Sequence, residues 1–282
     1  MGIRIFTYSR LRELESFLES VETPSHCELC PGLKGGLHHP SYEVTSKCNL
    51  NCIFCYAKST ELAKKLPKPG YYGEENPKVI TVSQYGEPTL IGLDKLEKLF
   101  NLLKKRFGKV RIDLQTNGIL LNRRVNADIV MISLSASNRK SYKFLTGRDE
   151  FLNVLNAIEV SSEGKTIVRT VYIPGVNENE IEEIAKIAEK YNAEHMIQPC
   201  SIHPGMEKLR KIYDFERDTL YDFLDIAEKA NHISDVRIPG CLVQIVKDMM
   251  EQFDFEEIAF ARRKPSERVP EIRRERMFSF NL

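Results

Sequence analysis

The chain has 282 residues, 42% of them hydrophobic, with 41 basic residues against 40 acidic for a formal net charge of +1. That much apolar material supports a substantial core, in two domains or in one α/β barrel, and the near-cancelling charges argue against a broadly cationic nucleic-acid binder. No stretch reaches the roughly 18 consecutive apolar residues of a membrane-spanning helix, and the opening MGIRIFTYSRLREL lacks the apolar run of a secretory signal.

Residues 9–21 (SRLRELESFLESV) space apolar side chains at three and four, the period of an amphipathic helix. The segment 22–40, rich in Pro, Gly and His, reads as an ordered loop. From residue 41, β-rich runs at 41–46, 78–83, 109–116, 129–134, 166–173, 194–198 and 235–238 alternate with helical patterns at 57–66, 92–106, 149–160, 177–191 and 214–230. Such alternation predicts βαβ units on a parallel sheet, and six or seven of them curl into a full or partial barrel. The expected fold class is α/β. A partial (β/α)6 TIM-type barrel spans 41–240, an N-terminal helix and C-x2-C loop occupy 1–40, and a helix and basic tail occupy 241–282. Asn177 is placed to cap the helix at 177–191, with Glu178 and Glu180 favoured by the dipole in its first turn.

A cytoplasmic location is expected, where thiols stay reduced and cysteines serve metals or chemistry more often than disulfides. The odd count of seven cysteines agrees. Three of them, Cys48, Cys52 and Cys55, follow C-x3-C-x2-C in TSKCNLNCIFCYAKS, directly after the first predicted strand. Three thiolates within eight residues can converge on one soft centre, an iron–sulfur cluster, zinc or copper(I). Four ligands would close such a site, whereas three leave a corner free for something else. The place also fits, because barrels carry their active sites at the C-terminal ends of strands.

This triplet, followed by the aromatic Tyr56, resembles the signature of the radical S-adenosylmethionine (SAM) superfamily. The resemblance implies an enzyme in which the three cysteines hold a 4Fe-4S cluster. Its open iron chelates SAM, which is cleaved reductively to a 5′-deoxyadenosyl radical. Later segments extend the likeness over about residues 41–240. SQYGEPTL at 83–90 resembles the family's Gly-Gly-Glu motif with Tyr85 in place of the first Gly, so that Gly86 would let backbone approach SAM and Glu87 would accept from its ammonium. LQTNGIL at 114–120 resembles a Thr-Asn-Gly turn, and SLSASN at 133–138 a hydroxyl-rich strand end; Asn117, Ser133 and Ser135 are the candidates near the SAM ribose. Arg169, on the fifth strand of this series, is the candidate for the SAM carboxylate if its side chain points inward.

Cys27, Cys30, Cys200 and Cys241 remain, the right number for a second cluster. Cys27 and Cys30 form a C-x2-C, while Cys200 and Cys241 follow the sixth and seventh strands. The alternatives are a zinc site, which can recruit His38 or His39, and four unrelated thiols. His203 is either a substrate contact or a turn residue, and Glu207, Lys208 and Arg210 read as solvated. The tail from Arg262 to Arg276 is basic but interleaved with Glu267, Glu271 and Glu275, which favours a salt-bridged surface segment over a contact with an acidic partner, RNA or a nucleotide; its closing MFSF reads as a plug for the open bottom or side of the barrel. The expected partners are a small-molecule or peptide substrate and an external electron donor such as ferredoxin or flavodoxin. Sulfur insertion and cluster-assisted oxidation are the reactions a second cluster would suggest. RNA modification and glycyl-radical activation are the enzymatic alternatives, and a non-enzymatic iron–sulfur or zinc scaffold is the competing class.

Overall fold

A computed structural model describes residues 7–30 and 39–282. In chain order the elements are α1 (Tyr8–Ser20), β1 (Ser41–Glu43), α2 (Ala57–Leu62), β2 (Gly70–Tyr72), β3 (Val79–Val82), α3 (Leu93–Phe107), β4 (Arg111–Thr116), β5 (Ile129–Ser133), α4 (Arg139–Thr146), α5 (Phe151–Ser161) and β6 (Lys165–Tyr172). They continue with α6 (Ile181–Lys190), β7 (Glu194–Pro199), α7 (Glu207–Arg210), α8 (Leu220–Asn231), β8 (Val236–Arg237), α9 (Gly240–Met250), α10 (Phe255–Phe260) and β9 (Arg276–Phe278).

The nine strands form one sheet in the order β8-β7-β6-β5-β4-β3-β1-β2-β9. Every neighbouring pair from β8 to β1 is parallel, whereas β2 runs antiparallel to β1 and β9 antiparallel to β2. Since β8 and β9 are edges, the sheet is open, as a partial TIM-type barrel must be. No helix among the described residues is long and apolar enough to cross a membrane.

Side chains alternate across each strand. Ile80, Val82, Ile112, Leu114, Val130, Ile132 and Val168 face the helices and pack with Leu96, Leu99, Phe100 and Leu103 of α3 and Val154, Ala157 and Ile158 of α5. On the opposite face Ile129, Met131, Ile167 and Met196 form a small apolar cluster. Around it that face is polar, with Ser41, Thr81, Gln115, Arg169 and Gln198 lining an interior cavity.

Both extensions fold onto this frame. Leu11, Leu14, Phe17 and Leu18 of α1 share a core with Phe223, Leu224 and Ala227 of α8, and Arg10 bonds Asp225 at 2.8 Å and Glu228 at 2.7 Å. At the other end, β9 pairs Phe278 with Tyr71, and Phe280 stacks on Tyr42 with ring centroids 5.8 Å apart. The MFSF segment thus lies at the side of the open barrel, where it enters as an edge strand. Its alternate rings lie on an apolar strip of Tyr42, Tyr71 and Phe107, and its backbone completes the ladder of β2.

Element boundaries depart most from the expectation at three helices. Helix α2 stops at Leu62 instead of 66, where Lys64 takes a left-handed φ of 57°. Helix α8 starts late, because the Thr219 side chain caps it by accepting from Asp222 N–H. Asn177 does not cap through its side chain: Oδ1 accepts from Ile173 N–H at 2.8 Å, while Nδ2 donates to the carbonyls of Ser135 and Val171. It ties the loop after β5 to the end of β6, and the helix begins through a 3-10 turn at Glu178–Glu180.

Phe278 touches Tyr71, Phe107 and the Arg106 guanidinium, 4.0 Å above its ring. Phe278→Ala is expected to lower stability by about 2 kcal/mol, short of the roughly 3–5 of a fully buried Phe because the ring is half-buried. Chemical denaturation followed by circular dichroism measures it; an unchanged midpoint would mean that the tail does not fasten the sheet edge.

Candidate functional site

The loop between β1 and α2 carries Cys48, Cys52 and Cys55, and it is laced to the barrel by backbone. Asn51 and Ile53 donate to the carbonyls of Thr146 and Leu145, both at 2.9 Å. Burial raises the pKa of Cys52, and the charges of Cys55 and Cys48 raise it further. Cys48 is likewise raised by burial and then by Glu87 and Cys55, opposed by the Leu50 N–H, which donates to its sulfur at 3.4 Å. Thiols such as Cys48 and Cys52, whose ionisation is held back by burial and by neighbouring negative charge, favour a cationic centre that takes them as thiolates. The donor set therefore fits a soft iron–sulfur centre with one position left over.

The turn after β3 is built against this loop. Gly86 has a φ of +68°, and a Cβ there would lie 2.0 Å from the Thr45 carbonyl oxygen and 2.8 Å from that of Lys47. The glycine thus permits close approach to the cysteine loop itself, where the sequence suggested approach to a ligand. Glu87 N–H donates to Lys47 O at 2.8 Å across the same seam. The Glu87 carboxylate is buried and committed to the protein: Oε1 accepts from Thr89 N–H and from the hydroxyls of Thr89 and Thr116, and Oε2 accepts from Asn117 N–H at 2.7 Å. Burial nonetheless holds its pKa up.

Sequence reading missed Glu43. This buried carboxylate accepts from the Ser83 hydroxyl at 2.6 Å, Tyr85 N–H at 2.9 Å and Gln84 N–H at 3.2 Å, so it shapes the turn from the other side. An acidic residue inside the β-rich run just ahead of the triplet was the available signal.

Asn117 reaches the cysteine loop, donating to Asn49 Oδ1 at 2.7 Å and toward Cys48 Sγ at 3.8 Å. Ser133 is the exposed last residue of β5. The Ser135 hydroxyl is taken up by Val171 N–H at 3.1 Å, which ties the strand ends together. Tyr56 donates its hydroxyl to Gln84 O and meets Tyr85 edge to face at 5.2 Å. Arg169 points inward. Its partners are two side-chain amides, Gln198 at 3.3 Å and Gln115 at 3.2 Å, and no carboxylate pairs with it among the described residues. Burial depresses its pKa, countered by Tyr56 and Cys55. A buried guanidinium between neutral amides is a ready seat for an anion.

Tyr56, Tyr85 and Arg169 open onto a cavity of about 680 Å³, and so do Cys27, Cys30 and Cys241. These last three form a second group. The Cys27 thiol is pushed up to about 11, chiefly by burial, with Cys30 and Cys241 adding to it and the Gly240 N–H opposing. Cys241 is raised by burial and then by Cys30. Cys200 lies apart, so the four-thiol set divides into three and one. Its pKa is pushed up to about 12 by burial, and its charged neighbours are Arg263 and Asp218 rather than another cysteine. After Pro199 the chain leaves the sheet, and Cys200 belongs to the apolar core with Ile202, Met206 and Leu209.

A polar clamp fastens the Cys27 turn to the barrel. His26 Nδ1 lies 2.7 Å from Asp113 Oδ2, and Arg111 donates to the carbonyls of Ser25 and His26 while pairing with Asp113 at 2.9 Å. His39 stacks on His26 at 4.2 Å. Donor atoms of His26, His39 and Asp113 lie within 4.8 Å of one another, but Arg111 already neutralises the carboxylate, which favours a clamp over a cation site. His38 lies outside the described residues. His203 lines the cavity and bonds Arg268 O at 3.0 Å through Nδ1.

Comparison with known proteins gives the same picture. The family model described as Radical SAM superfamily matches residues 42–188. An uncharacterized protein of Methanocaldococcus jannaschii is 37% identical over 283 residues, covering 93% of this chain and 94% of that one. A probable GTP 3',8-cyclase of Pyrococcus abyssi is 28% identical over 190 residues, covering 61% of this chain and 60% of its own length. The crystal structure of Streptococcus suis SuiB bound to precursor peptide SuiA aligns with a TM-score of 0.54 at 14% identity, over 88% of this chain and 57% of that one, a likeness of fold.

Gly86→Ala tests the seam. Strain at a positive φ alone costs about 1–3 kcal/mol, and the clash with Thr45 O displaces the cysteine loop. Anaerobically reconstituted variant is expected to bind far less iron than wild type while its far-ultraviolet circular dichroism stays the same; equal iron would refute the coupling.

Proposed function

The chain belongs to the radical SAM superfamily of enzymes, and from this premise we propose that it acts on a small molecule held in the cavity beside Arg169, with a second iron–sulfur cluster on Cys27, Cys30 and Cys241. The 4Fe-4S cluster and SAM of the family supply, when bound, the 5′-deoxyadenosyl radical that takes hydrogen from a substrate. Cys48, Cys52 and Cys55 would hold that cluster. The backbone of the turn at Gly86 and Glu87 would hold the methionyl end of SAM, with Arg169 on its carboxylate. Asn117 and Ser133 would border the ribose, while Ser135 would keep the strand ends in place and Tyr56 would close the site beside Tyr85.

The observation that carries this reading is a shared cavity. Tyr56 and Arg169, which neighbour Cys55, and the Cys27, Cys30 and Cys241 thiols all open onto it. Its volume lies in the range of small-molecule sites, about 300–1,000 Å³, and residues 266, 268–274 of the tail form part of its wall, which favours a small metabolite or cofactor precursor over a peptide. Three thiolates would leave one position of a second cluster without a protein ligand, as in the first. A second centre invites sulfur insertion or cluster-assisted oxidation. Zinc on the same three thiols is the second reading, favoured by the C-x2-C spacing. On this view residues 41–240 are the SAM-binding barrel, while 1–40 and 241–282 bring the second set of thiols and the cavity wall. An external donor such as ferredoxin or flavodoxin would supply the electron in the cytoplasm.

Anaerobic reconstitution with iron and sulfide tests this. Wild type is expected to hold about eight irons per chain and the Cys48/Cys52/Cys55→Ala variant about four. The Cys27/Cys30/Cys241→Ala variant should also keep about four, and Cys200→Ala the full complement. With dithionite and SAM, 5′-deoxyadenosine should appear in wild type and not in the Cys48/Cys52/Cys55→Ala variant. About four irons plus one zinc in wild type would select the zinc reading, and no iron at all would overturn the proposal.

A further inference from the structure

The basic tail has a place in the structure that its composition does not reveal. Six arginines lie between residues 262 and 276. Four are tied to the protein: Arg262 to Glu216, Arg263 to Asp218, Arg274 to Glu74 at 3.9 Å, and Arg276 to the Pro69 carbonyl at 3.2 Å. Arg268 and Arg273 have no ion pair among the described residues, and both line the cavity. The intervening Glu271 is turned to Lys65, at 2.8 Å, and so does not neutralise them.

The segment is fixed rather than trailing. Ser266 N–H donates to Ile202 O at 2.8 Å, the Thr60 hydroxyl to Pro270 O at 2.6 Å, and His203 bonds Arg268 O. The backbone is thus anchored around Arg268 at Ser266, Arg268 and Pro270, and side-chain ion pairs of Glu271 and Arg274 flank Arg273. The charged lining of the cavity, histidines aside, consists of Arg169, Arg268, Arg273 and Arg274 against the single carboxylate of Glu271. Four guanidinium groups facing one concave space raise the local concentration of anions, and a guanidinium matches the planar fork of a carboxylate or phosphate.

We infer that the substrate is an anionic small molecule, bearing a phosphate or carboxylate group that Arg268 and Arg273 receive at the cavity mouth. Resting on the proposed function, this gives that site its substrate class. Arg169 lies deeper and serves SAM; the tail arginines serve the second molecule. Orienting the substrate by a charged end far from the reacting carbon lets the cavity hold it in one pose.

The test uses reconstituted enzyme with SAM, and two probes, inorganic triphosphate and citrate, titrated by calorimetry at fixed ionic strength. One of them is expected to bind saturably, and the Arg268→Gln/Arg273→Gln variant to bind it at least about tenfold more weakly. Arg262→Gln, whose side chain pairs with Glu216 away from the cavity, should match wild type. Tighter binding of triphosphate assigns a phosphate-bearing substrate, and of citrate a carboxylate-bearing one. The inference is overturned if neither probe saturates, or if Arg262→Gln weakens binding as much as the double variant. Iron and 5′-deoxyadenosine measured on the same wild-type preparation separate the two claims. Protein that carries iron and cleaves SAM but binds neither polyanion sinks this inference alone, whereas protein without iron sinks the reading beneath it.

Discussion

The cysteine loop and the turn after β3 meet along a seam only one backbone wide, and the rest of the site depends on that contact. Gly86 sits where any side chain would strike the Thr45 carbonyl, and the next residue donates its N–H to Lys47. Two loops from neighbouring parallel strands are thereby held as one body. The thiols of the first loop and the carbonyls of the second consequently keep a fixed separation. A cluster bound by one and an amino group held by the other would require that constancy, since an error of an ångström is costly when a radical must be delivered to one C–H bond.

Two buried carboxylates stiffen the seam from either side. Glu43 collects the N–H groups of Gln84 and Tyr85 and the hydroxyl of Ser83; Glu87 collects those of Thr89 and Asn117 and two hydroxyls. Burial penalises the charged form of each, and in both cases it outweighs the hydrogen bonds and raises the pKa. The benefit lies in geometry. Turns leave backbone N–H groups without ladder partners, and an orphaned buried donor costs about 1–3 kcal/mol. One carboxylate with several lone pairs satisfies a whole turn, and it fixes that turn's shape because the donors must converge on it.

How much of this was legible depends on the range of the interaction. The cysteine spacing and the strand–helix alternation are local, so the triplet, the partial barrel and the turns at Gly86 and Asn117 could be read from the chain. Cys200 and Cys241 could not be told apart, because both follow strand ends and the direction a side chain takes after a strand is set by what packs there. Cys200 joins the core of Leu209 and Met206, while Cys241 opens α9 beside Cys27 and Cys30. The inward parity of Arg169 is likewise settled by pairing, where it lies opposite Ser133 of β5 and Met196 of β7. Strands β2 and β9 have three residues each, too few for any period to show, and they exist because each completes the other's ladder. Glu43 and Asn177 hid for a related reason: a polar residue that organises distant loops looks, in sequence, like one that faces water or caps a helix.

The open sheet explains why both extensions are needed. A closed eight-stranded barrel fills its interior with side chains, whereas a sheet with free edges leaves room and must be walled in some other way. Here the turn carrying Cys27 is clamped to the inner face of β4 through Asp113 and Arg111, and residues 262–274 run from Asp218 past Ile202, in the segment after β7, to Thr60 of α2 before the chain reaches β2. On the proposed reading the parallel strands and their loops would supply the groups that do not depend on the substrate, namely the thiol triplet, the two carboxylates and Arg169. The extensions would supply those that do: three further thiols, and Arg268 and Arg273, which have no ion pair among the described residues. Because the tail is anchored largely through its backbone and its edge strand, the side chains it turns to the cavity can change without disturbing the seam. On the proposed reading, substrate preference and radical chemistry would be carried by separable parts of the same chain.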